Sequence, residues 1–132
     1  MIVRFKTNVD VEVMLNKLQE SLQVSTKAAI IRLAIAYSVN MEGDPRFENG
    51  AIKDFNAHAQ NGAEYNRFTI FGNDETIYKA LMAKNLGRQI TDEEFFPALT
   101  NAHLERGIKE LNADFRLARN KDRFLLQLLN RK

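Results

Sequence analysis

The residues IVRFKTNV, from Ile2 to Val9, begin the chain with an alternation of apolar or β-branched and polar side chains. A period of two residues is typical of a short β-strand with one buried face. The buried face would carry Val3, Phe5, Thr7 and Val9, and the solvent face Arg4, Lys6 and Asn8. A single strand is not stable alone, so the sequence also predicts a pairing partner for it.

Two helices are predicted directly after the strand. Asp10 can cap the first, whose apolar side chains follow helical spacing through Gln23, namely Val11, Met14, Leu15, Leu18 and Leu22. Ser25 or Thr26 can accept from the free N–H groups of a second helix, TKAAIIRLAIAYSVN at 26–40. This helix is apolar nearly all round, which predicts burial on most sides by its own chain or by a partner chain.

A strand, a helix, a tight turn and a buried helix within residues 2–40 are typical of a ribbon-helix-helix unit. In such a unit two chains pair their strands, and outward side chains of the ribbon read the DNA major groove. Those outward side chains would be Arg4, Lys6 and Asn8, and Lys27 with the free N–H groups of Thr26 to Ala28 would hold a phosphate at the N-terminus of the second helix. The same pattern also arises in domains that bind no DNA.

The rest of the chain is predicted to be a turn-rich loop at 41–64 followed by helices at 65–132. Within the loop, AIKDFNAHA at 51–59 can form one or two helical turns, and His58 is expected at the surface. The fold class is therefore mainly α, as a single domain over 1–132: a short N-terminal strand, a ribbon-helix-helix-like segment at 2–40, the loop and further helices.

Start and stop residues locate the later helices. Asn73 is predicted to cap a helix that ends at Gly87 and whose inner face is formed by Ile77, Ala80, Leu81 and the stem of Lys84. Thr91 and Glu94 have the spacing of a capping box, and Pro97 follows near the first turn or at a kink. The last helical region continues with apolar side chains at helical spacing: Leu99, Ala102, Leu104, Ile108, Leu111 and Phe115.

Composition excludes several classes of function. The chain has no cysteine, which excludes disulfides, thiolate metal sites and persulfide chemistry. No apolar run approaches the roughly 18 residues of a membrane span, and the N-terminus lacks a signal peptide, so a cytoplasmic protein without membrane contact is expected. No catalytic or phosphate-loop motif is present, and Asp92 to Glu94 is explained by first-turn helix charge. We therefore expect no enzyme, no cofactor and no metal site.

The stretch AEYNRFTIFGNDETIYKALM, from Ala63 to Met82, combines four aromatic residues with one arginine. It could present a stacking surface to nucleic acid or form part of the core. The spacing favours the core, with Phe68, Ile70 and Phe71 packed under the helix that follows. Arg67 would then be a buried or half-buried clamp on backbone carbonyls or on a carboxylate. His103 with Arg106 could reach a phosphate, although a histidine satisfied in the core or exposed is favoured.

Three segments carry a resemblance to a known family: YNRFTIFG at 65–72, HLERGIKEL at 103–111, and RLA at 32–34 with the later Ser38 and Asp44-Pro45. Together they resemble the DndE family of the bacterial DNA phosphorothioation system. The resemblance implies a non-catalytic accessory subunit that binds nicked or duplex DNA as a homo-oligomer, a dimer or a tetramer. Its partners would be the other subunits of the sulfur-modification complex, including a cysteine desulfurase and an ATP-using, iron–sulfur protein.

The chain departs from the family pattern in two places. The turn between the first two helices reads QVSTK from Gln23, where the family often has Gly-(Leu/Ile)-Thr-Pro, and the loop after Asp44 is long. Two other functions remain open: a ribbon-helix-helix transcriptional regulator that binds an operator, and a protein-only adaptor. The basic residues predicted to contact DNA are Arg4, Lys6 and Lys27 first, then Lys17, Arg116, Arg119 and Lys121.

Overall fold

The computed structural model describes residues 2–48, 51–52, 62–118 and 120–130. The strands are β1 (Arg4–Lys6), β2 (Phe47–Glu48), β3 (Ala51–Ile52) and β4 (Glu64–Asn66). The helices are α1 (Val9–Leu22), α2 (Lys27–Val39), α3 (Arg67–Phe71), α4 (Glu75–Leu86), α5 (Thr100–Ala118) and α6 (Lys121–Asn130). The predicted class, a mainly helical single domain with a short N-terminal strand, is confirmed. In the described part of the chain, no helix is long and apolar enough to cross a membrane.

The N-terminal strand pairs within its own chain. β1 runs antiparallel to β4, with Phe5 opposite Tyr65 and Lys6 opposite Glu64. Phe5 is buried as predicted, but Val9 is half exposed because α1 already begins there and ends the strand alternation. The partner that the strand requires is therefore supplied about 60 residues later by the same chain, not by a second one.

The first helix begins two residues earlier than predicted. The side chain of Asn8, not Asp10, caps α1 by accepting from the Val11 N–H at 2.8 Å. The helix ends at Gln23, which adopts the left-handed conformation with φ of 57°. This is the position where the DndE pattern has a glycine, the residue that adopts a positive φ without steric cost. Thr26 caps α2 as predicted.

Helix α2 is buried by its own chain. Its side chains pack against α1, α3 and above all α5, and Ile30, Ile31 and Ile35 are fully buried. The backbones of α2 and α5 approach each other most closely at Gly107, where a Cβ atom would lie 1.7 Å from the Ala34 carbonyl oxygen. Only glycine permits this contact, so α2 needs no partner chain for burial.

The segment before α5 is kinked, as Pro97 predicted. Thr91 and Glu94 form the predicted capping box, in which the Glu94 N–H donates to Thr91 Oγ1 and the Thr91 N–H to Glu94 Oε1, both at 3.1 Å. Phe96 leaves helical geometry with φ of −136° and ψ of 123°, and α5 starts at Thr100. Phe95 and Phe96 are buried on either side of the kink, so they join β1 and α3 to α5.

Helix α4 differs from its prediction in start and in orientation. α3 and a 3₁₀ turn at Gly72–Asp74 occupy the residues before it, so α4 starts at Glu75 and Asn73 does not cap it. The predicted inner face, formed by Ile77, Ala80, Leu81 and Lys84, is exposed. Met82 is buried instead, and Tyr78 packs on Phe71 at 5.1 Å between ring centroids, because the preceding turn rotates the helix. The predicted end at Gly87, with φ of 74°, is confirmed.

The predicted loop contains a small hairpin. β2 and β3 pair antiparallel, with Phe47 opposite Ile52. Ala51 and Ile52 are therefore in a strand and not in the predicted helical turn. The remainder of that predicted turn, with His58, lies outside the described residues.

Replacing Gly107 by alanine should lower the free energy of unfolding by about 2–4 kcal/mol, because the added methyl group forces α2 and α5 apart. At a solvent-exposed position of a helix the same substitution would raise stability by about 1 kcal/mol. The sign of the change in the free energy of unfolding therefore shows whether the close contact is present. Urea unfolding monitored by circular dichroism measures the difference. Lys109→Ala, at an exposed position of the same helix, serves as the control.

Candidate nucleic-acid interface

The outer face of the two-stranded sheet carries the first two predicted DNA contacts. Arg4 and Lys6 are both exposed on β1. Opposite them stands Glu64 on β4, which pairs in register with Lys6 and lies 3.7 Å from the Arg4 guanidinium. This carboxylate offsets part of the positive charge of the face. The offset is only partial, because both partners of an exposed ion pair remain accessible to solvent.

Lys27 joins the start of α2 to α1. Its Nζ atom lies 3.2 Å from Glu12 Oε1, and only a third of its side chain is exposed. Glu12 also accepts from the Thr7 hydroxyl and, at 2.8 Å, from the Tyr65 hydroxyl. Burial and these contacts with Glu12 raise the pKa of Tyr65 well above its usual value. Sequence reasoning missed this network because its members come from separate elements, with Tyr65 lying 53 residues from Glu12 along the chain.

The remaining basic candidates are distributed over three helices. Lys17 is exposed on α1 and Arg116 on α5. Lys121 donates to Gln23 Oε1 at 2.9 Å, which ties the start of α6 to the turn between α1 and α2. Arg119 lies outside the described residues. Apart from this contact at the turn, the structure does not gather the candidates into one cleft, and their role in DNA binding stays a prediction.

Arg67 is the buried clamp that its sequence context predicted. Its guanidinium forms hydrogen bonds with the carboxylates of Glu75 and Asp92 and with the Ile2 carbonyl, the last at 3.3 Å. It also lies over the rings of Phe95 and Phe96, 5.3 and 5.0 Å from their centroids. These contacts hold α4, the N-terminus and the kinked segment together, and they raise the pKa of Arg67 above its usual value.

The aromatic residues around Arg67 divide into buried and exposed ones. Ile70 and Phe71 are buried, as predicted. Phe68 is 69% exposed, so the prediction that it packs under the following helix is wrong. Its neighbours fold into the short helix α3, which turns Phe68 away from the side that carries Arg67 and Ile70.

His103 and Arg106 are both used inside the fold. His103 Nδ1 lies 2.7 Å from the Ser38 hydroxyl, and Arg106 donates to the same hydroxyl at 2.8 Å and to the Gly43 carbonyl at 2.9 Å. Burial, together with the charge of Arg106, lowers the pKa of His103 to about 3, so the imidazole is neutral at pH 7. The two interpretations favoured for His103 were an exposed residue and one satisfied in the core, and the structure shows the second.

The three segments that carried the family resemblance meet in space. Arg32 donates to the Ile70 carbonyl at 2.9 Å, which links RLA to YNRFTIFG. Ser38 and Gly107 link the same helix to HLERGIKEL. Arg32 and Arg106 therefore face carbonyl and hydroxyl groups of the fold.

The structure is a helical domain in which these three segments form part of the interior, with separate basic residues at the surface. The chain belongs to the family described as DNA sulphur modification protein DndE, which matches residues 4–119. A comparison with curated proteins finds no match. Most of the residues that match the family belong to the described fold. Helix α6 lies C-terminal to the matched residues.

The buried neutral His103 should make stability depend on pH between 5 and 6.5. In the unfolded chain its pKa returns to about 6.5, so the unfolded state binds a proton that the folded state does not. The free energy of unfolding should therefore fall with falling pH, by about 2 kcal/mol from pH 6.5 to pH 5. Chemical unfolding at a series of pH values measures this slope.

His103→Gln is the control for that slope. The variant should be less stable at pH 7, because it loses part of the contact with Ser38, but its stability should be flatter over the same range. Carboxylates such as Glu94, whose pKa is lowered to about 2 by Arg88, contribute to acid unfolding only below this window. Equal slopes for the two proteins would contradict a buried neutral histidine.

Replacing Arg67 by alanine should lower the free energy of unfolding by about 3 kcal/mol, because two carboxylates and a carbonyl lose their common partner. Arg67→Lys should recover only part of the loss, since an ammonium group cannot hold both carboxylates in a planar fork. Thermal unfolding compares them with Arg88→Ala, which removes an exposed arginine from Glu94 and should have a far smaller effect.

Proposed function

We propose that the chain is a non-catalytic, DNA-binding accessory subunit of the DNA sulfur-modification system and that it binds nicked or duplex DNA as a homo-oligomer. The observation that carries the proposal is membership of the DndE family over residues 4–119. Family membership supports a role in the sulfur-modification system. The distribution of charged side chains in the fold supports a non-catalytic subunit that binds DNA. The other subunits of the complex would supply and activate the sulfur.

A non-catalytic role is supported by the way the fold uses its chemically capable side chains. The described histidine, His103, is bound to Ser38 in the interior, and Arg67 and Arg106 are saturated by carboxylates, carbonyls and a hydroxyl. Among the described residues, no group of three or more acidic or histidine side chains is placed to hold a metal ion. What the surface offers is separate lysines and arginines, which suit contact with a phosphate backbone.

The DNA contact is proposed for the outer sheet face, with the basic residues of α5 and α6 as further, separate contacts. Residues 103–132 contain eight basic and four acidic residues, while Arg4 and Lys6 stand exposed on β1. Such a surface binds phosphates with little preference for sequence. A ribbon-helix-helix regulator is disfavoured, because the β1 edge that a second chain would pair with is occupied by β4, and the Lys6 carbonyl accepts from Asn101 at 3.0 Å.

A protein-only adaptor is the second candidate. Helix α6 exposes Leu125, Leu126 and Leu129, of which Leu129 is 82% exposed. Neighbouring exposed leucines on one helix favour a protein contact. Purification with the other sulfur-modification subunits, together with absence of DNA binding at low salt, would favour this candidate over the first.

Two substitutions on the outer sheet face should change DNA affinity in opposite directions. Lys6→Gln removes a cation and should reduce the slope of log K against log salt by about 1, because one phosphate contact is lost. Glu64→Gln removes the carboxylate opposite it and should raise affinity at low salt. Electrophoretic mobility shifts with intact and nicked duplex DNA, over a series of salt concentrations, measure both effects.

Lys79→Ala is the matched control, since Lys79 lies beside Asp92 and outside the proposed face. It should leave both affinity and salt slope unchanged. Lys27 is unsuitable for this test because its removal also strands the carboxylate of Glu12. No binding of either DNA by the unmodified protein would overturn the proposed function, and unchanged affinity in both Gln variants would place the contact on another surface.

A further inference from the structure

A cavity of about 290 Å³ is lined by the segment that follows α2 and by the middle of α5. The first of these contributes the apolar side chains of Met41 and Pro45 and the aromatic ring of Phe47, which is 56% exposed. Helix α5 contributes Lys109 and Glu110 among other charged residues. The volume is near the lower end of the range for small-molecule sites, roughly 300–1,000 Å³, so the cavity suits one small ligand.

The walls of this cavity are held in place by the fold itself. Arg106 donates to the Gly43 carbonyl at 2.9 Å, which fixes the segment after α2 to α5. Asp44 accepts from the backbone N–H of Arg46 at 2.9 Å and from its guanidinium at 2.7 Å. A side chain that bonds to the backbone two residues later forms a local turn, and this turn orders the chain that leads to Phe47. An ordered wall reduces the entropy that is lost when a ligand binds.

Two charged side chains of the cavity are not used by the fold. Within the described part of the chain, the side chains of Lys109 and Glu110 take part in no hydrogen bond or ion pair. The other charged side chains that line the cavity, Arg46, Arg106 and Glu105, are each bound by residues of the fold. The cavity therefore offers a ligand one ammonium group, one carboxylate and the face of one aromatic ring.

We propose that this cavity is a binding site for one nucleoside monophosphate. The exposed ring of Phe47 stacks on the base, Lys109 contacts the phosphate, and Glu110 accepts from an exocyclic amino group of the base. The choice of a nucleotide as ligand rests on the nucleic-acid part of the proposed function. The site is nevertheless separate from the outer sheet face, because none of its described lining residues belongs to β1 or β4.

A bare phosphate ion fits these groups less well than a nucleotide does. Glu110 follows Lys109 directly in the chain, so its carboxylate repels a compact anion that approaches the ammonium group. In a nucleotide the phosphate and the amino group of the base are separated by the sugar. Each of the two charged side chains can then meet a partner of suitable charge, and the apolar walls are covered by the sugar and the base.

Titration calorimetry of the whole protein with deoxynucleoside monophosphates tests the site. We expect a dissociation constant of roughly 0.1–1 mM, because one stack and one ionic contact in an open cavity support only weak binding. Phe47→Ala should weaken binding at least about fivefold through loss of the stack. Phe47→Tyr keeps the ring and should bind as the unmodified protein does. Circular dichroism verifies that each variant is folded.

Two further variants separate the phosphate contact from the base contact. Lys109→Gln should weaken binding of deoxycytidine monophosphate about fivefold and leave binding of deoxycytidine, which has no phosphate, unchanged. Glu110→Gln should abolish a preference for deoxycytidine monophosphate over thymidine monophosphate, because thymine lacks the amino group that the carboxylate accepts from. Lys79→Ala, beside Asp92 on α4, is the control and should have no effect on any of these ligands.

The nucleotide could be free or could be the end of a DNA strand, and nicked duplex DNA with a terminal phosphate distinguishes these sources. If Phe47→Ala lowers the affinity for the nicked duplex but not for the intact one, the natural ligand is a strand end. If Phe47→Ala abolishes binding of free monophosphates and leaves both duplex affinities unchanged, the natural ligand is a free nucleotide. Either result supports the site.

The site and the proposed function can fail independently of each other. DNA binding by a protein that binds no monophosphate would overturn the site and leave the proposed function intact. Monophosphate binding that Phe47→Ala and Lys109→Gln weaken would support the site even if neither duplex is bound. Monophosphate binding that all three altered side chains leave unchanged would overturn the site, because the nucleotide would then lie elsewhere on the protein.

Discussion

The close approach of α2 and α5 at Gly107 is the constraint on which the rest of the fold depends. Because no side chain separates the two backbones there, Ser38, one turn after Ala34, meets His103, one turn before Gly107. Arg106 then reaches back across the same contact to the carbonyls of Ser38 and Gly43, which fixes the start of the segment that follows α2. A larger residue at position 107 would separate the helices and break this polar cluster together with the apolar packing around it.

Local features of the fold could be predicted from the sequence, because neighbouring residues determine them. The cap at Thr26, the capping box at Thr91 and Glu94 and the helix end at Gly87 each depend on a few adjacent side chains. The pairing of β1 with β4 could not be predicted, since it joins residues about 60 positions apart. Nothing in the local sequence of either strand indicates which strand it pairs with. The contact of Lys27 with Glu12 was also missed, because the two residues lie on different helices. Lys27 had been selected for its charge alone, and its structural role in joining α2 to α1 was not predicted.

The family motifs and the proposed DNA surface are different parts of the molecule. Arg32, Arg67 and Arg106, the arginines in the three shared segments, point into the fold and hold α2, α3, α4 and α5 in place. The residues predicted to contact DNA that lie at the surface are on β1, α1, α5 and α6, and Glu64 stands next to Arg4. A surface of this kind can vary in charge without loss of the fold, so the family motif specifies the scaffold. Under the proposed function, individual exposed residues would set the contact with a phosphate backbone.

Helix α4 shows why periodicity alone could not decide which surface is internal. Ile77, Ala80 and Leu81 have the spacing of a helix face that is buried. The preference of these side chains for burial is the same whether the residues that bury them belong to the same chain or to another. For α2 the chain itself supplies the cover, because α1, α3 and α5 surround it. For α4 the turn at Gly72–Asp74 rotates that spacing away from the core and replaces it there with Tyr78 and Met82.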